Sequence, residues 1–326
     1  VQAISITTHG GPDVLELRAV PDPVPGPGEV LVELRAAAVN RRDVLVRGGI
    51  GPAYRFPMPL VLGSDGAGIR RDTGEEIVIL PSLDWGGSEL RAGPDFRILG
   101  GPDDGTYAEL VVVPEANAFP KPAGLTWTEA AALPLAALTA YRALFTMARL
   151  QPGETVLILG VGSGVSLAAI QLAVHAGARV IVTSSSDDKL RRAAELGSAA
   201  GFDYTEADWV GGVIDRTGGV DVVLDSVGST WPDSLAALAP GGRLVACGAT
   251  GGGTATLSVR GLYLQQKQIL GTKMGSPKDF AELLDLTRRG AVRPIVDSTR
   301  PLGDAAAAHR RLESGRHFGK LVLTTA

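Results

Sequence analysis

Two different patterns of hydrophobic and polar positions divide the chain. Up to about residue 120, short β-like runs stand between proline- and glycine-rich breakers. The runs are AISI (3–6), VLELRAV (14–20), VLVELRAAAV (30–39), EIVIL (76–80) and YAELVVV (107–113). Between them lie PDPVPGPGE (21–29), GGIGPAYRFPMPLVLG (49–63) and PDFRILGGPDDG (94–105). Alternating or β-branched runs bounded in this way predict an irregular, partly antiparallel β unit.

The pattern changes near Lys121. Thr126 followed by Glu129 is a capping-box signature at the head of an alanine-rich helical segment, 126–150. Pro134 predicts a break within it, because proline lacks a donor and crowds the preceding turn. A strand, a turn and a helix follow: TVLILG (155–160), GVGSGVS (160–166) and SLAAIQLAVHAG (166–177). ARVIVTS (178–184) predicts a second strand and SSDDKLRRAAEL (185–196) a second helix. DVVLDS (221–226), GRLVACG (242–248) and QILGT (268–272) continue the strand rhythm. Strands alternating with helices predict an α/β unit with a mostly parallel sheet covered on both faces. A further helix is expected over 276–290. The terminal HFGKLVLTT reads as a closing strand whose β character returns the chain to the opening unit.

Composition narrows the function classes. A chain of 326 residues accommodates two domains. The net charge is -4 and the lysines and arginines are scattered, so no basic face for nucleic acid is expected. Charges and prolines interrupt every apolar segment before it reaches membrane-spanning length. The opening VQAISITTHGG lacks signal-peptide features, so cytoplasmic residence is the expectation. Cys247 is the single cysteine, which excludes an intrachain disulfide and a four-cysteine zinc lobe. The histidines, His9, His175, His309 and His317, form no tight cluster with it along the sequence. His175 reads as structural and His317 as a loop or strand-edge residue.

The strongest local signal is the glycine turn. Gly160 and Gly162 permit a tight turn with backbone close to a pyrophosphate, and Gly164 a close strand-to-helix crossing. Ser163, Gly164 and Val165 open a helix whose first donors face the phosphates. No GK[ST] follows, so a Walker phosphate loop is excluded. The second strand ends in Thr183, Ser184 and Ser185, where NAD-selective sites place a carboxylate. Hydroxyls there, with Lys189 one turn into the next helix, predict a 2′-phosphate partner and hence NADPH. Asp187 and Asp188 read as first-turn helix carboxylates. Val227, Cys247 and Gly248 follow later strands, at the edge where ligands collect. Cys247 has no evident histidine partner and is a weak nucleophile candidate.

These features, in this order, resemble the medium-chain dehydrogenase/reductase superfamily, and within it the zinc-independent quinone oxidoreductase-like branch. The likeness spans the chain, from PGPGEVLVELRAAAVNRRDVLVRGG through PLVLGSDGAG, GTYAELVVVP, TEAAALPLAALTAYRAL and LILGVGSGVSLAAIQLA to ILGTKMGS and GKLVL. It implies a Rossmann-type nucleotide domain, about 122–272, inserted in a GroES-like, mainly β catalytic domain formed by 1–121 and 273–326. It implies dimers or tetramers assembled near 255–272. Positions that carry zinc ligands in metal-dependent members look like Asn40, Ser64 and Leu135 here, a donor set poorly suited to zinc. The resemblance makes Asn40 the active-site asparagine, which would hydrogen-bond the substrate or the cofactor amide, with Arg42 and Asp43 beside it and Thr139 near the nicotinamide. Tyr54 and Tyr263 are candidates for closing the cleft. Lys189 and Tyr204 match positions that clasp the NADPH ribose-phosphate, and Ser166 replaces the usual last glycine of the turn.

The expected reaction is hydride transfer from NADPH to a quinone or an α,β-unsaturated carbonyl, with Asn40 and neighbouring donors orienting the substrate oxygen. Alternatives are a zinc-dependent alcohol dehydrogenase with atypical ligands and a nucleotide-binding protein with a decayed catalytic cleft. A methyl- or acyl-transfer enzyme on a similar α/β domain is disfavoured by the full-chain resemblance.

Overall fold

A computed structural model describes residues 1–325. They divide into two compact units, one of residues 1–138 with 276–325, the other Thr139–Gly275. The boundary lies at 138/139, whereas the sequence suggested 121/122. The reason is the helix Trp127–Ala132, whose buried Ala130, Ala131 and Ala132 pack on the strands Glu29–Val39 and Asp65–Arg70 of the first unit. Thr126 and Glu129 cap this helix reciprocally: Thr126 Oγ1 accepts from Glu129 N at 3.3 Å, and Thr126 N donates to Glu129 Oε2 at 2.9 Å. A new helix starts at the breaking proline, Pro134–Tyr141, and runs into a wide π turn over Arg142–Met147.

The centre of the first unit is the long strand Glu29–Val39. Its buried and half-buried residues alternate at first, and both faces are covered from Ala36 to Val39. On one side it pairs antiparallel with Asp65–Arg70, with Ala38 opposite Asp65. On the other it pairs antiparallel with Lys320–Thr324, with Val39 opposite Leu321. The closing strand therefore returns to the opening unit. Register brings the residue after Val39, the first residue of Asp65–Arg70 and the first residue of Lys320–Thr324 to one end of three neighbouring strands.

In the second unit six parallel strands lie in the order Ala200–Asp203, Arg179–Ser184, Thr155–Ile158, Val220–Asp225, Leu238–Ala246 and Gln268–Gly271. Numbered along the chain this is 3-2-1-4-5-6, the doubly wound Rossmann arrangement, with its topological switch between the first and fourth strands. The third strand, AGFD, has too little β-branched character for the sequence pattern to expose it. The helix Ala305–Glu313 was likewise unexpected, because its opening alanines carry no amphipathic period. Among the described residues, no helix is long and apolar enough to cross a membrane.

Candidate active site

The converging strand ends of the first unit hold a buried polar cluster. Asn40, Asp65 and Lys320 are 5, 0 and 6% exposed. Lys320 Nζ donates to Asn40 Oδ1 at 2.5 Å, to Val39 O at 3.0 Å and to Asp65 Oδ2 at 3.1 Å. Asn40 Nδ2 donates to Asp65 Oδ2 at 2.9 Å and to Ala38 O at 3.3 Å. Asp65 Oδ1 accepts from Leu135 N at 2.8 Å. An ammonium only donates and a carboxylate only accepts, so Oδ1 of Asn40 must face Lys320 and Nδ2 must face Asp65. Both amide hydrogens are engaged. Oδ1, oriented by Lys320, is the atom of the amide that can accept.

A second buried chain starts one helical turn on. Asp43, at the head of the helix Arg41–Gly48, accepts through Oδ2 from Asn40 N at 2.8 Å and from Tyr107 Oη at 2.9 Å. Tyr107 Oη lies 3.2 Å from His309 Nε2, and Arg47 Nη1 lies 3.1 Å from His309 Nδ1. Arg47 also pairs with Glu313 at 2.6 Å. Because Arg47 can only donate, His309 Nδ1 accepts and Nε2 carries the proton toward Tyr107. Every donor in the chain then points toward Asp43. Burial pushes Asp43 up to about 6, against the opposing pull of the Asn40 amide, Arg42, Tyr107 and Lys320. Burial, aided by the Arg47 charge, pushes His309 down to about 3 and keeps its ring neutral. Burial and the Asp43 charge raise Tyr107 well above its ordinary value. Asp43 Oδ1 is buried without a hydrogen-bond partner.

Arg42 acts on Asp43 through its charge but makes its hydrogen bonds elsewhere. Its guanidinium donates to the carbonyls of Ile98, Leu99, Gly100 and Gly101 and reaches Ser64 Oγ at 3.4 Å, so it fastens a loop. Tyr263 is 61% exposed on the second unit and Tyr54 lies in a surface turn, and neither hydroxyl is bonded to this cluster. The tyrosine that does join it is Tyr107, which the sequence presented only as a strand residue. Thr139 is buried in the helix Pro134–Tyr141, at the start of the second unit.

In the second unit the glycine turn connects the strand Thr155–Ile158 to the helix Gly164–His175. Gly160 has φ 65° and Gly162 φ 127°, conformations that favour glycine. Their amides are occupied: Gly160 N donates to Thr183 Oγ1 at 3.2 Å and Gly162 N to Ser166 Oγ at 3.1 Å. Ser163 Oγ caps the helix by accepting from Ser166 N at 3.1 Å, and Ser163 O accepts from Leu167 N. Gly164 and Val165 hold the first two positions of the helix, where backbone donors have no intrahelical acceptor and an anion is favoured. Ser166, in place of a glycine, is buried and knits the turn through its hydroxyl.

The next strand ends in Ser184, which is buried and accepts from Ser186 N through Oγ at 3.2 Å. Ser185 is exposed and accepts from Tyr204 Oη at 3.0 Å, so hydroxyls from two neighbouring strand ends meet. Lys189 follows in the first turn of the helix Asp187–Glu195, where Asp188 pairs with Arg191. Asp203 Oδ1 accepts from the amide and hydroxyl of Thr205. Val227 and Gly228 donate to Asp225 at the end of the fourth strand, and Gly251 N donates to Val227 O. Gly248 lies beside them, where a Cβ would meet Ser226 O at 2.8 Å. Burial and the Asp225 charge push the Cys247 thiol up to about 12, so it stays protonated and is no nucleophile.

A six-stranded doubly wound unit with a glycine turn at the head of its first crossover helix, inserted in a β unit with a buried polar strand-end cluster, defines a nucleotide-dependent dehydrogenase architecture. The family model described as alcohol dehydrogenase GroES-like domain matches residues 26–123, and that described as zinc-binding dehydrogenase matches 164–289. The chain is 36% identical over 316 residues to a zinc-type alcohol dehydrogenase-like protein of Schizosaccharomyces pombe, covering 91% of each. It is 34% identical to a quinone oxidoreductase of Pseudomonas aeruginosa, covering 98% of each. A crystal structure described as an NAD-dependent alcohol dehydrogenase superposes with a TM-score of 0.93 at 40% identity, over 100% of both chains. The chain belongs to the medium-chain dehydrogenase/reductase superfamily of oxidoreductases, which use nicotinamide cofactors.

The residues fit a nicotinamide dinucleotide, through the helix-head amides of Gly164 and Val165 and the Ser185–Tyr204 hydroxyl pair. They do not fit zinc. Asn40 is committed to Lys320 and Asp65, Ser64 to Arg42, and Leu135 has no donor side chain. Among the described residues, no group of three or more His, Cys, Asp or Glu could hold a metal ion.

Proposed function

We propose that the chain is a cytoplasmic, NADPH-dependent and zinc-independent oxidoreductase that transfers hydride to a quinone or an α,β-unsaturated carbonyl. One observation carries the cofactor preference: the Ser185 hydroxyl after the second Rossmann strand meets the Tyr204 hydroxyl after the third, with Lys189 in the helix that follows Ser185. Of the carboxylates nearby, Asp188 pairs with Arg191, Asp203 accepts from Thr205, and Asp187 opens the next helix as a first-turn acid. Hydroxyls and an ammonium suit a 2′-phosphate, where a free carboxylate would suit a ribose diol.

When bound, the cofactor supplies the hydride. Gly164 and Val165 hold its pyrophosphate, with Gly160, Gly162 and Ser163 shaping the turn. Ser184, Ser185, Lys189 and Tyr204 form the 2′-phosphate end, and Val227, Cys247 and Gly248 border the later strand ends. Asn40, Asp43 and Thr139 belong to the reacting end. Asn40 accepts there, which matches a carboxamide N–H or the hydroxyl of a reduced product. Asp43 fixes the backbone of Asn40, and the proton comes from solvent. The exposed Val259, Tyr263 and Leu264, beside the edge strand Gln268–Gly271, support a homodimer or homotetramer built on that edge.

The 40% identical NAD-dependent relative favours a second reading, NADH use with an alcohol or aldehyde. Paired fluorescence titrations of nucleotide-free protein with NADPH and NADH separate the two. Tighter NADPH binding, followed by NADPH oxidation that requires a quinone or enone, supports the proposal. Equal or tighter NADH binding overturns the cofactor reading, and about one zinc per chain with loss of activity on chelation overturns the metal reading.

A further inference from the structure

The superfamily includes zinc-binding members, yet the cation among Asn40, Asp65 and Leu135 in this chain is a side chain. We propose that Lys320 is the built-in cation of the site, seated in a cradle of three oxygens and locking the Asn40 amide so that it offers an acceptor to the ligand. The inference rests on the proposal that Asn40 serves the reacting end. Lys320 itself is a positioning residue, because its three donors match three acceptors, Val39 O, Asn40 Oδ1 and Asp65 Oδ2, and none remains for a substrate.

The cradle is specified by register. Val39 and Asn40 end the central strand, Asp65 starts one neighbour and Lys320 the other. Asp65 is anchored from behind by Leu135 N, so its carboxylate cannot turn away. Lys320 fixes the amide through Oδ1 and Asp65 fixes it through Nδ2, so loss of the ammonium removes one of the two contacts and leaves the Asp65 charge uncompensated. With both charged groups replaced, the amide can flip and present a donor where the intact site presents an acceptor. A ligand group positioned against the wrong atom loses its alignment, and misplacement of about 1 Å costs about 10²-fold in rate.

The test uses full-length Lys320→Ala, Lys320→Met and the charge-neutral double variant Lys320→Met/Asp65→Asn. In Lys320→Ala, propylammonium should raise the melting temperature saturably without any cofactor present, while tetramethylammonium, which has no N–H, should not. Propylammonium should also restore at least ten-fold of the lost kcat. Lys320→Met fills the space without charge and should not respond. The double variant removes both charges and should fold, by circular dichroism, with kcat still down by about 10²-fold and KM for NADPH unchanged.

Wild-type kcat in the double variant makes the pair merely structural and overturns the proposal, as does a Lys320→Ala protein indifferent to propylammonium. If Lys320→Ala fails to fold, the double variant alone decides. Absence of wild-type turnover with every quinone and enone would sink the functional reading, while the amine-dependent melting shift would still report on the cradle.

Discussion

The Asp43–Tyr107–His309 chain predicts two proton linkages of opposite sign. Asp43 rises from 3.8 to about 6 on folding, so its contribution to stability is full below pH 4 and is lost as pH rises through 6. His309 falls from 6.5 to about 3, so its contribution is full above 6.5 and is lost as pH falls toward 3. Between pH 4.5 and 5.5 the folded state holds a proton on Asp43 that the unfolded chain has released. The unfolded chain holds one on His309 that the folded state excludes. One proton corresponds to about 1.4 kcal/mol per pH unit, and partial titration in this window leaves about 1 kcal/mol from each group. In the wild type the two slopes cancel. Asp43→Asn should make the stability–pH slope more positive than wild type by about 1 kcal/mol per pH unit. His309→Gln keeps an acceptor for Arg47 and a donor for Tyr107, and should make the slope more negative by the same amount. Urea unfolding at pH 4.5, 5.0 and 5.5, followed by tryptophan fluorescence, measures both differences. The double variant should return to the wild-type slope. Single-variant slopes within about 0.4 kcal/mol per pH unit of wild type, the usual additivity error, would refute the buried, oppositely shifted pair.

Three further outcomes follow from other parts of the chain. Ser185→Asp sets a carboxylate against the proposed 2′-phosphate and should weaken NADPH binding about 10- to 100-fold, on the scale of a lost charged hydrogen bond, while sparing NADH; equal weakening of both in fluorescence titrations would contradict the assignment. Ser163→Ala removes the cap accepting from Ser166 N at 3.1 Å and should cost about 1 kcal/mol in urea unfolding. Leu264→Asp charges the exposed helix beside the edge strand and should shift sedimentation toward monomer, whereas an unchanged oligomer would place the assembly surface elsewhere.

The second unit was largely legible because its signals are local. Gly160, Gly162 and Ser163 make their turn within a few residues, and the strand TVLI and the helix after it declare themselves by composition. The doubly wound order itself needed the structure, since the strand AGFD (200–203) carries almost no β signal of its own. Inside the glycine turn the hydrogen bonds themselves were not legible: Gly162 N donates to Ser166 Oγ, an exchange that depends on a helical side chain pointing back into the loop.

The first unit's cluster was illegible for a different reason. Lys320 lies 280 positions from Asn40, and GKLVL reads as a strand with a solvated lysine at its mouth. Nothing local distinguishes it, since lysine is ordinarily exposed and a buried one requires partners that only tertiary structure supplies. The same holds for His309, in a helix with a featureless opening, and for Tyr107, whose hydroxyl meets Asp43 across 64 positions. Asn40 and Asp43 were singled out through the family resemblance, whereas Asp65 lay within GSDGAG without an assigned role. Their roles depend on register: Ala38 opposite Asp65 and Val39 opposite Leu321 set the carboxylate and the ammonium on either side of one amide. A one-residue slip of the closing strand would turn Lys320 to the other face and leave Asp65 buried without a cation, at a cost of about 3–5 kcal/mol. The pairing of the two chain ends and the chemistry of the cluster are therefore specified together, and a substitution that disturbs either should disturb both.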